Sequence, residues 1–238
     1  MSINEVRYLP ECGSTNAYMK EHFEEFGPVG AVYTTNQTAG RGRLGRSWLD
    51  APHKGLYYTA RHQDRSGPAR HAAAVCQSGP SATPCASATA IDCQIKWPND
   101  LLLNGKKIVG ILCEVGPDGH SIVVGIGINL AQPQEYFDAA GLPHGTSLAL
   151  QGVSVDMDTD PEWLAQYMTD FGFDRALYTY EAEGFAPTAS ATRRSASIWA
   201  AASPTTAAPE PPLTWTTRAV SSSATRPATP ASLPARSA

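Results

Sequence analysis

Short apolar runs separated by polar turns dominate the first 150 residues of the chain. Residues 5–9, 31–35 and 55–59 are three such runs, and they contain many β-branched and aromatic side chains. Side chains of these types pack well on a pleated surface. The three runs are therefore predicted to be β-strands.

A longer block of strands is predicted from Ile95 onward. Asn104-Gly105 joins two apolar runs and favours a type I′ turn, because that turn requires positive φ at both central positions. A second turn at Asp118-Gly119 leads into the apolar run 120–130. The block predicts an antiparallel meander. Its apolar runs are too continuous for a sheet with one wet face, so we expect both faces to be covered.

A helix is predicted between the first two strands. Ser14–Asn16 supplies side chains that cap helices, and Met19, Phe23 and Phe26 follow at the spacing of one helical face. Gly27-Pro28 is expected to end this helix. Ser14–Asn16 therefore has an ordinary structural explanation as an N-cap, although capping is compatible with ligand binding.

A second helix is predicted to begin at Asp160-Pro161. Asp160 is the expected N-cap and Pro161 the first helical residue, where its missing N–H costs nothing. Apolar residues at positions 164, 167, 168 and 171 form one stripe, which favours packing against the core. The helix is expected to extend toward residue 180.

Two stretches lack this patterning. Residues 60–92 contain few large apolar side chains and three prolines, and 39 of the 51 residues from Thr188 to Ala238 are Ala, Ser, Thr or Pro. A segment with the second composition buries too little apolar surface to offset its ordering entropy. We therefore expect one domain over residues 1–187, with 60–92 off-pattern, followed by a disordered low-complexity tail over 188–238.

Charge and cysteine content restrict the class of protein. The formal net charge is -4, so any attraction to nucleic acid must be local. The five cysteines form no CxxC pair, which favours free thiols in a reducing compartment. No apolar run approaches the roughly 18 residues of a membrane span, and the N-terminus lacks the apolar core of a signal peptide. We therefore expect a cytoplasmic protein.

The most distinctive chemistry lies in Gln37–Trp48, QTAGRGRLGRSW, which we call the glycine-arginine loop. Three glycines alternate with three arginines there. A flexible backbone thus carries planar, permanently charged donors that fit phosphate or carboxylate oxygens. The same composition occurs in solvated basic loops and in disordered RNA-binding segments. The loop by itself leaves a ligand site and a plain basic surface equally open.

Two further segments place polar residues beside predicted strands. Lys96–Asp100 carries an ammonium, an amide and a carboxylate at a strand end, and Lys106-Lys107 follows the hairpin turn. Gly127 and Asn129 interrupt the last strand of the meander. Each has an ordinary alternative: a turn pair, a solvated turn, or a bulge at Gly127. Their occurrence in one chain with the glycine-arginine loop favours a site.

Together these segments resemble the biotin protein ligase family. Ser14–Asn16, Gln37–Trp48, KWPNDLLLNGKKIVGIL (96–112) and GIGINL (125–130) follow the family's order and approximate spacing. The resemblance implies an α+β fold class with a central mixed, largely antiparallel β-sheet flanked by helices. It makes residues 1–187 the catalytic domain, with the tail in place of the family's small SH3-like domain. The DNA-binding domain of repressor-type members has no counterpart, so no DNA partner is expected.

The resemblance also implies a two-step reaction. Biotin, the substrate, and ATP with Mg²⁺ would give biotinyl-5′-AMP and pyrophosphate, and a lysine of a biotin carboxyl-carrier protein would then attack the mixed anhydride. A homodimer is left open. Two alternatives also stay open: an impaired homologue that binds biotin or its adenylate without transfer, and a lipoate or octanoyl ligase-transferase of the same fold.

Matched position by position, the family's functional residues fall on the segments quoted above. The implied biotin contacts are Ser14, Thr15, Asn16, Gln37, Arg41, Gly42, Arg43 and Lys107, of which Arg41, Arg43 and Lys107 are the implied catalytic residues. The implied nucleotide contacts are Arg46, Trp48, Asn99, Asp100 and Asn129. The resemblance leaves the metal ligands unknown.

Overall fold

The computed structural model describes residues 6–26, 29–62, 93–96 and 99–169. Three expectations lie outside these ranges: the disordered tail, most of the off-pattern stretch 60–92, and the far end of the second predicted helix. Cys12, within these ranges, is a free thiol, as expected. None of the described helices is long and apolar enough to cross a membrane.

One sheet organises the described part of the chain. Its strands are β1 (Val6–Tyr8), β2 (Val29–Thr34), β3 (Gly55–His62), β4 (Gln94–Lys96), β5 (Asp100–Leu103), β6 (Lys106–Val115) and β7 (Ile122–Asn129). Their spatial order is β1-β2-β3-β7-β6-β5-β4. β1 and β2 run parallel and all other neighbours are antiparallel. The predicted mixed, largely antiparallel sheet is confirmed.

Turn chemistry sets the meander of β5, β6 and β7. Asn104 and Gly105 have φ values of 50° and 76°, as a type I′ turn requires. Gly119 has φ 71° in the second turn. The interpretation of Gly127 as a bulge is wrong, because β6 and β7 pair without interruption and Gly110 lies opposite Gly127. The register shift falls instead in β5, between Leu101 and Leu102.

Strand β3 is longer than predicted and extends into the stretch 60–92. Ala60 pairs with Ala31 on one side and with Val124 on the other. Pairing on both sides holds these residues in the sheet although their composition gives no strand signal. Arg61 is buried, and its guanidinium lies 3.4 Å from the centre of the Phe23 ring. Burial lowers the pKa of Arg61.

Helices cover both faces of the sheet, as predicted. Helix α1 (Thr15–Glu21) and the 3-10 turn Phe23–Phe26 pack with Val32 on one face. Helices α2 (Gln134–Ala139) and α3 (Asp160–Tyr167) follow β7 in the chain, and α3 packs with the residues on either side of Val32. Successive side chains of a strand point to opposite faces, so α1 and α3 lie on opposite sides.

Two helix boundaries differ from the prediction. Ser14 is the N-cap of α1, but the helix ends at Glu21 and the chain continues as a separate 3-10 turn. Helix α3 begins one residue early, with Thr159 at the N-cap position and no side-chain cap. The Asp160 carboxylate accepts a hydrogen bond of 2.8 Å from the N–H of Asp156 instead, so Asp160 is not the N-cap.

Candidate functional site

A cavity of about 390 Å³ lies beside the glycine-arginine loop. Its lining comes from segments that are distant in sequence: the start of α1, the loop, β5, β6, β7 and the connection after α2. The structure brings every sequence-predicted site residue to this cavity: Ser14, Thr15, Asn16, Gln37, Arg41, Gly42, Arg43, Arg46, Trp48, Asn99, Asp100, Lys107 and Asn129. Their individual roles stay predictions.

The glycine-arginine loop folds back on itself. The N–H of Gly42 donates to the carbonyl of Arg46 at 2.7 Å, and the N–H of Trp48 donates to the carbonyl of Gly40 at 2.9 Å. Leu44, at the tip, has φ 58° and is 84% exposed. A leucine in the left-handed region is uncommon and costs energy. The tip thus has little packing to hold it in place.

A buried polar chain lies where helix α1 begins. Gln37 Oε1 accepts hydrogen bonds from the N–H of Thr15 at 3.0 Å and from its hydroxyl at 3.2 Å. Ser14 Oγ accepts from the N–H of Ala17 at 3.5 Å. Since these two N–H groups of the first helical turn already have acceptors, a ligand at this end must use other polar atoms. Ser14, Thr15 and Gln37 are all buried, so their positions are well defined.

Asn16 is held from both ends of its amide. Its Nδ2 donates to the carbonyl of Leu112 at 3.2 Å and to Glu114 Oε2 at 2.8 Å. Its Oδ1 accepts from the Thr59 hydroxyl at 2.7 Å. The same oxygen lies where a side chain at Gly125 would stand, so Gly125 must lack a Cβ. Both amide protons of Asn16 are engaged, which leaves one acceptor position on Oδ1.

The indole of Trp48 lies on two glycines that face each other across β6 and β7. We call Gly110 and Gly127 the glycine floor. A Cβ at Gly127 would come within 3.0 Å of Trp48 Cε2, and one at Gly110 would overlap the ring. The Lys107 ammonium lies 5.0 Å from the ring centre, within cation–π range. Gly127 is therefore explained by the close approach of Trp48.

Lys107 is fixed through both its side chain and its backbone. Its Nζ lies 2.8 Å from Asp100 Oδ1, although the angle at this ion pair is poor for a hydrogen bond. Its N–H donates to the carbonyl of His144 at 2.6 Å, and its carbonyl accepts from the N–H of Thr146 at 2.9 Å. Both the side chain and the backbone of Lys107 are therefore held by neighbouring residues. The alternative of a freely solvated turn is wrong for this residue.

The charge of the cavity is opposite to that of the whole chain. Among its described lining residues, three arginines and Lys107 face the single carboxylate of Asp100. Arg43 donates to Asn99 Oδ1 at 3.0 Å, which ties the loop to the start of β5. A chain of net charge -4 thus presents a locally cationic cavity, which suits an anionic ligand.

Asn129 lines the cavity, but its side-chain amide forms hydrogen bonds within the protein. Its Nδ2 donates to the carbonyl of Thr146 at 2.9 Å, and its Oδ1 accepts from Gln132 Nε2 at 3.2 Å. The Ser147 hydroxyl donates to the carbonyl of Gln132 at 2.7 Å. Asn129 therefore anchors the connection after α2, which also forms part of the cavity wall.

Two tyrosines hold the segment that leaves the glycine-arginine loop. Tyr136 donates to the carbonyl of Leu49 at 2.7 Å, and the Tyr57 hydroxyl lies beside Asp50, which accepts from the N–H of Gln37 at 3.2 Å. Burial, and then the Asp50 charge, raise the pKa of Tyr136 to about 12. The same causes raise the pKa of Tyr57. Both phenols stay protonated, and Asp50 links the two ends of the loop.

The sequence did not single out several residues that build this site. Thr59 and Glu114 support Asn16 from β3 and β6, and nothing in their local pattern indicates such a role. Gly110 carried a usable signal, since a glycine inside an apolar strand often marks a close approach. The described residues contain no cluster of three His, Cys, Asp or Glu side chains able to hold a metal ion.

The fold and the cavity define a domain in which a largely antiparallel sheet carries an arginine-rich loop beside a polar cavity. The model of the biotin/lipoate A/B protein ligase family matches residues 10–129. The chain belongs to this family, as its sequence motifs predicted.

Curated relatives and a solved structure agree with this assignment. The bifunctional ligase/repressor BirA of Escherichia coli is 31% identical over 187 residues, covering 76% of this chain and 56% of BirA. The biotin--[acetyl-CoA-carboxylase] ligase of Paracoccus denitrificans is 33% identical over 197 residues, 75% of each chain. The biotin protein ligase of Aquifex aeolicus, solved with biotin and ATP, has a TM-score of 0.60 and 28% identity, covering 76% of this chain and 74% of that one. The chain spans little more than half the length of BirA.

Proposed function

We propose that this chain is a biotin–[carboxyl-carrier-protein] ligase, which activates biotin with ATP as biotinyl-5′-AMP and transfers it to a lysine of a carrier protein. The convergence of all the motif residues on one cationic cavity carries this proposal. The names of the relatives support biotin as the substrate, and the Aquifex aeolicus complex supports ATP as the co-substrate.

The first step needs a site that tolerates several negative charges. The biotin carboxylate must approach the α-phosphate of ATP, so two anions repel one another along the reaction path. Fixed cations offset this repulsion, and each well-aimed donor contributes on the order of 3 kcal/mol to the transition state. Lys107, Arg41 and Arg43 line the cavity and are the cations to which we assign this role.

Each end of the cavity has a distinct proposed task. The buried polar chain of Ser14, Thr15 and Gln37 has fixed donors and acceptors, which suits the ureido ring of biotin. Trp48 offers a flat aromatic face held by the glycine floor, which suits a purine ring. The loop between them would cover the mixed anhydride and exclude water, which otherwise hydrolyses such intermediates.

Mg²⁺ is part of the proposal because ATP is used with this ion. Mg²⁺ is usually bound by one or two carboxylates together with phosphate oxygens, so a preformed cluster of three protein ligands is unnecessary. Asp100 Oδ1 fits this requirement, since it is buried and has only the poorly aligned contact with Lys107. When bound, the ion would neutralise phosphate charge beside Lys107.

One assay tests the proposed function. The chain is incubated with labelled biotin, Mg-ATP and a biotin carboxyl-carrier domain, and both pyrophosphate release and label on the carrier are followed. Label on the carrier is the expected result. Pyrophosphate without labelled carrier would instead indicate the impaired homologue, and modification that requires lipoate or an octanoyl donor would overturn the biotin assignment.

The remaining expectations stay predictions. They are a cytoplasmic location and a carrier protein as the partner. The carrier is proposed from the names of the ligases that the chain resembles. Affinity of the chain for an isolated carrier domain is the direct measurement for that partner.

A further inference from the structure

We infer that Glu114 is a positioning residue of this site, which holds the glycine-arginine loop and Asn16 in a fixed relation to helix α1. The inference rests on the proposed function for its kinetic consequences, but its structural part is independent of the ligand. Glu114 lies near the end of β6, outside the lining of the main cavity. It must therefore act through the residues that it contacts.

Three donors from three segments meet at this one carboxylate. Lys20 of helix α1 lies 2.7 Å from Oε1, and Asn16 Nδ2 donates to Oε2 at 2.8 Å. Arg41 of the glycine-arginine loop donates to the same Oε2 at 3.2 Å. Two of these donors, Asn16 and Arg41, belong to the predicted biotin contacts. Glu114 thus joins the helix side of the cavity to its loop side.

From Arg41 to Ser47 the loop has few other attachments. A second cavity of about 370 Å³ lies behind it, lined by residues 40–47 together with Leu112 and Glu114. Six loop residues line both cavities, so this part of the loop lies between them: Arg41, Gly42, Arg43, Leu44, Arg46 and Ser47. Among the described residues, the side chains between Arg41 and Ser47 make two hydrogen bonds to the rest of the domain: Arg41 to Glu114 and Arg43 to Asn99. Loss of either contact should loosen the loop.

The chemistry of Glu114 suits this task. Its side chain is 20% exposed, and hydrogen bonds from charged groups strengthen as water is excluded. Burial by itself would raise the pKa of Glu114, but the hydrogen bonds from Lys20 and Asn16 and the nearby charges of Lys20 and Arg41 outweigh it and lower the pKa. Glu114 is therefore ionised at neutral pH, when it can accept from all three donors.

The test compares Glu114→Gln with Glu21→Gln, an exposed glutamate of helix α1. Trypsin is added to each ligand-free chain, and cleavage after Arg43 and Arg46 is timed by mass spectrometry. We expect cleavage of the loop to be about tenfold faster in Glu114→Gln, as the loss of one charge-assisted hydrogen bond predicts. Glu21→Gln should match the wild type. Unchanged cleavage in Glu114→Gln overturns the inference.

The kinetic arm separates positioning from a general loss of structure. Pyrophosphate release is measured against biotin concentration. We expect the KM for biotin to rise about tenfold with kcat within about twofold, because Glu114 orders groups that bind the ground state and the transition state alike. Glu114→Asp, which keeps the charge, should recover part of the loss. A fall in kcat with unchanged KM would indicate a smaller folded fraction and would overturn the inference.

A second variant keeps the inference testable if Glu114→Gln does not fold. Arg41→Gln removes the same contact from the loop side, so its cleavage after Arg43 and Arg46 should also be faster. The double variant Arg41→Gln/Glu114→Gln should be no faster than Arg41→Gln, because the shared contact is already lost. If the two substitutions increase the cleavage rate additively, Arg41 and Glu114 do not act through a shared contact. If the wild type releases no pyrophosphate, the proposed function fails while the proteolysis arm still decides the role of Glu114.

Discussion

Thr59 on β3 lies beneath the start of helix α1, with its hydroxyl 2.7 Å from Asn16 Oδ1. The same hydroxyl is 2.8 Å from Thr15 Oγ1. Asn16 Oδ1 can only accept, so the proton of Thr59 fixes the orientation of the Asn16 amide. One fully buried hydroxyl of the sheet thereby sets the position of two predicted biotin contacts.

Thr59→Val should therefore weaken both the fold and the site. The substitution keeps the shape but leaves Asn16 Oδ1 without its donor, which costs about 1–2 kcal/mol of unfolding free energy. We also expect the affinity for biotin to fall by about tenfold, because the Asn16 amide loses its fixed orientation. Urea unfolding and biotin titration by calorimetry measure the two effects.

Tyr58→Phe is the matched control for Thr59→Val. Tyr58 is the preceding residue of β3, points to the opposite face and shares a buried hydrogen bond of 3.0 Å with Thr169. Its loss should lower the unfolding free energy by about 1 kcal/mol and leave biotin affinity unchanged. An equal loss of affinity in both variants would mean that Thr59 acts through stability alone.

Gly110→Ala should displace Trp48 from the glycine floor. The added methyl group would overlap the indole and would also come within 3.3 Å of Lys107 Cε. We expect a loss of about 1–3 kcal/mol in unfolding free energy, the usual cost of overpacking, and a higher KM for ATP. Trp48 fluorescence should shift as well. Gly13→Ala is the control, since its methyl group would meet no atom closer than 3.9 Å.

Lys107→Met should abolish most of the adenylation. The change removes the cation that pairs with Asp100, so we expect kcat for pyrophosphate release to fall by about 100-fold or more. Lys106→Met is the control, because Lys106 is the neighbouring residue and does not line the cavity. Similar activity in the two variants would remove Lys107 from the proposed mechanism.

Arg43→Ala should increase the release of free biotinyl-5′-AMP. Between Arg41 and Ser47, Arg43 is one of two described side chains with a hydrogen bond outside the loop, and its partner is Asn99. Without it the loop covers the adenylate less well, and we expect escape to rise roughly tenfold. Asn99→Ala removes the same contact and should give a milder form of the effect. The escape of biotinyl-5′-AMP is measured in the absence of carrier, by chromatography of the nucleotide that leaves the protein.

The stability contributed by Glu114 should depend on pH. The pKa of Glu114 in the folded chain lies below its ordinary value of 4.5, so its contribution is fully present above that value. It is lost as the pH falls through the lower, folded pKa. The difference in unfolding free energy between the wild type and Glu114→Gln should thus be largest at neutral pH and shrink below about pH 4.5. If this difference in unfolding free energy does not change with pH, Glu114 does not stabilise the fold as an ionised carboxylate.

The parts of the fold that depend on local chemistry could be predicted from the sequence. Asn104-Gly105 indicated its hairpin because only a few residue pairs accept positive φ, and the apolar runs indicated the meander. The site residues were predicted because they lie in compact motifs. Their meeting at one cavity depends on the sheet, which brings the loop beside β6 and β7.

The missed features depend on contacts between residues that are distant in sequence. Asn16 and Glu114 are 98 positions apart, and no local pattern indicates that an acidic residue near the end of β6 receives three donors. The start of α3 was misplaced by one residue, because the Asp160 carboxylate bonds back to Asp156 rather than capping the helix. β3 ran past its predicted end because pairing with both neighbours compensates for weak local propensity.

The glycine floor has a consequence for the history of this family. The indole disfavours a side chain at both positions, because a Cβ at Gly110 would overlap Trp48 and one at Gly127 would come within 3.0 Å of the same ring. Position 48 should therefore covary with positions 110 and 127 among relatives. A lineage that replaces the indole with a small side chain is freed to accept alanine or serine at both strand positions, whereas one that keeps it is not.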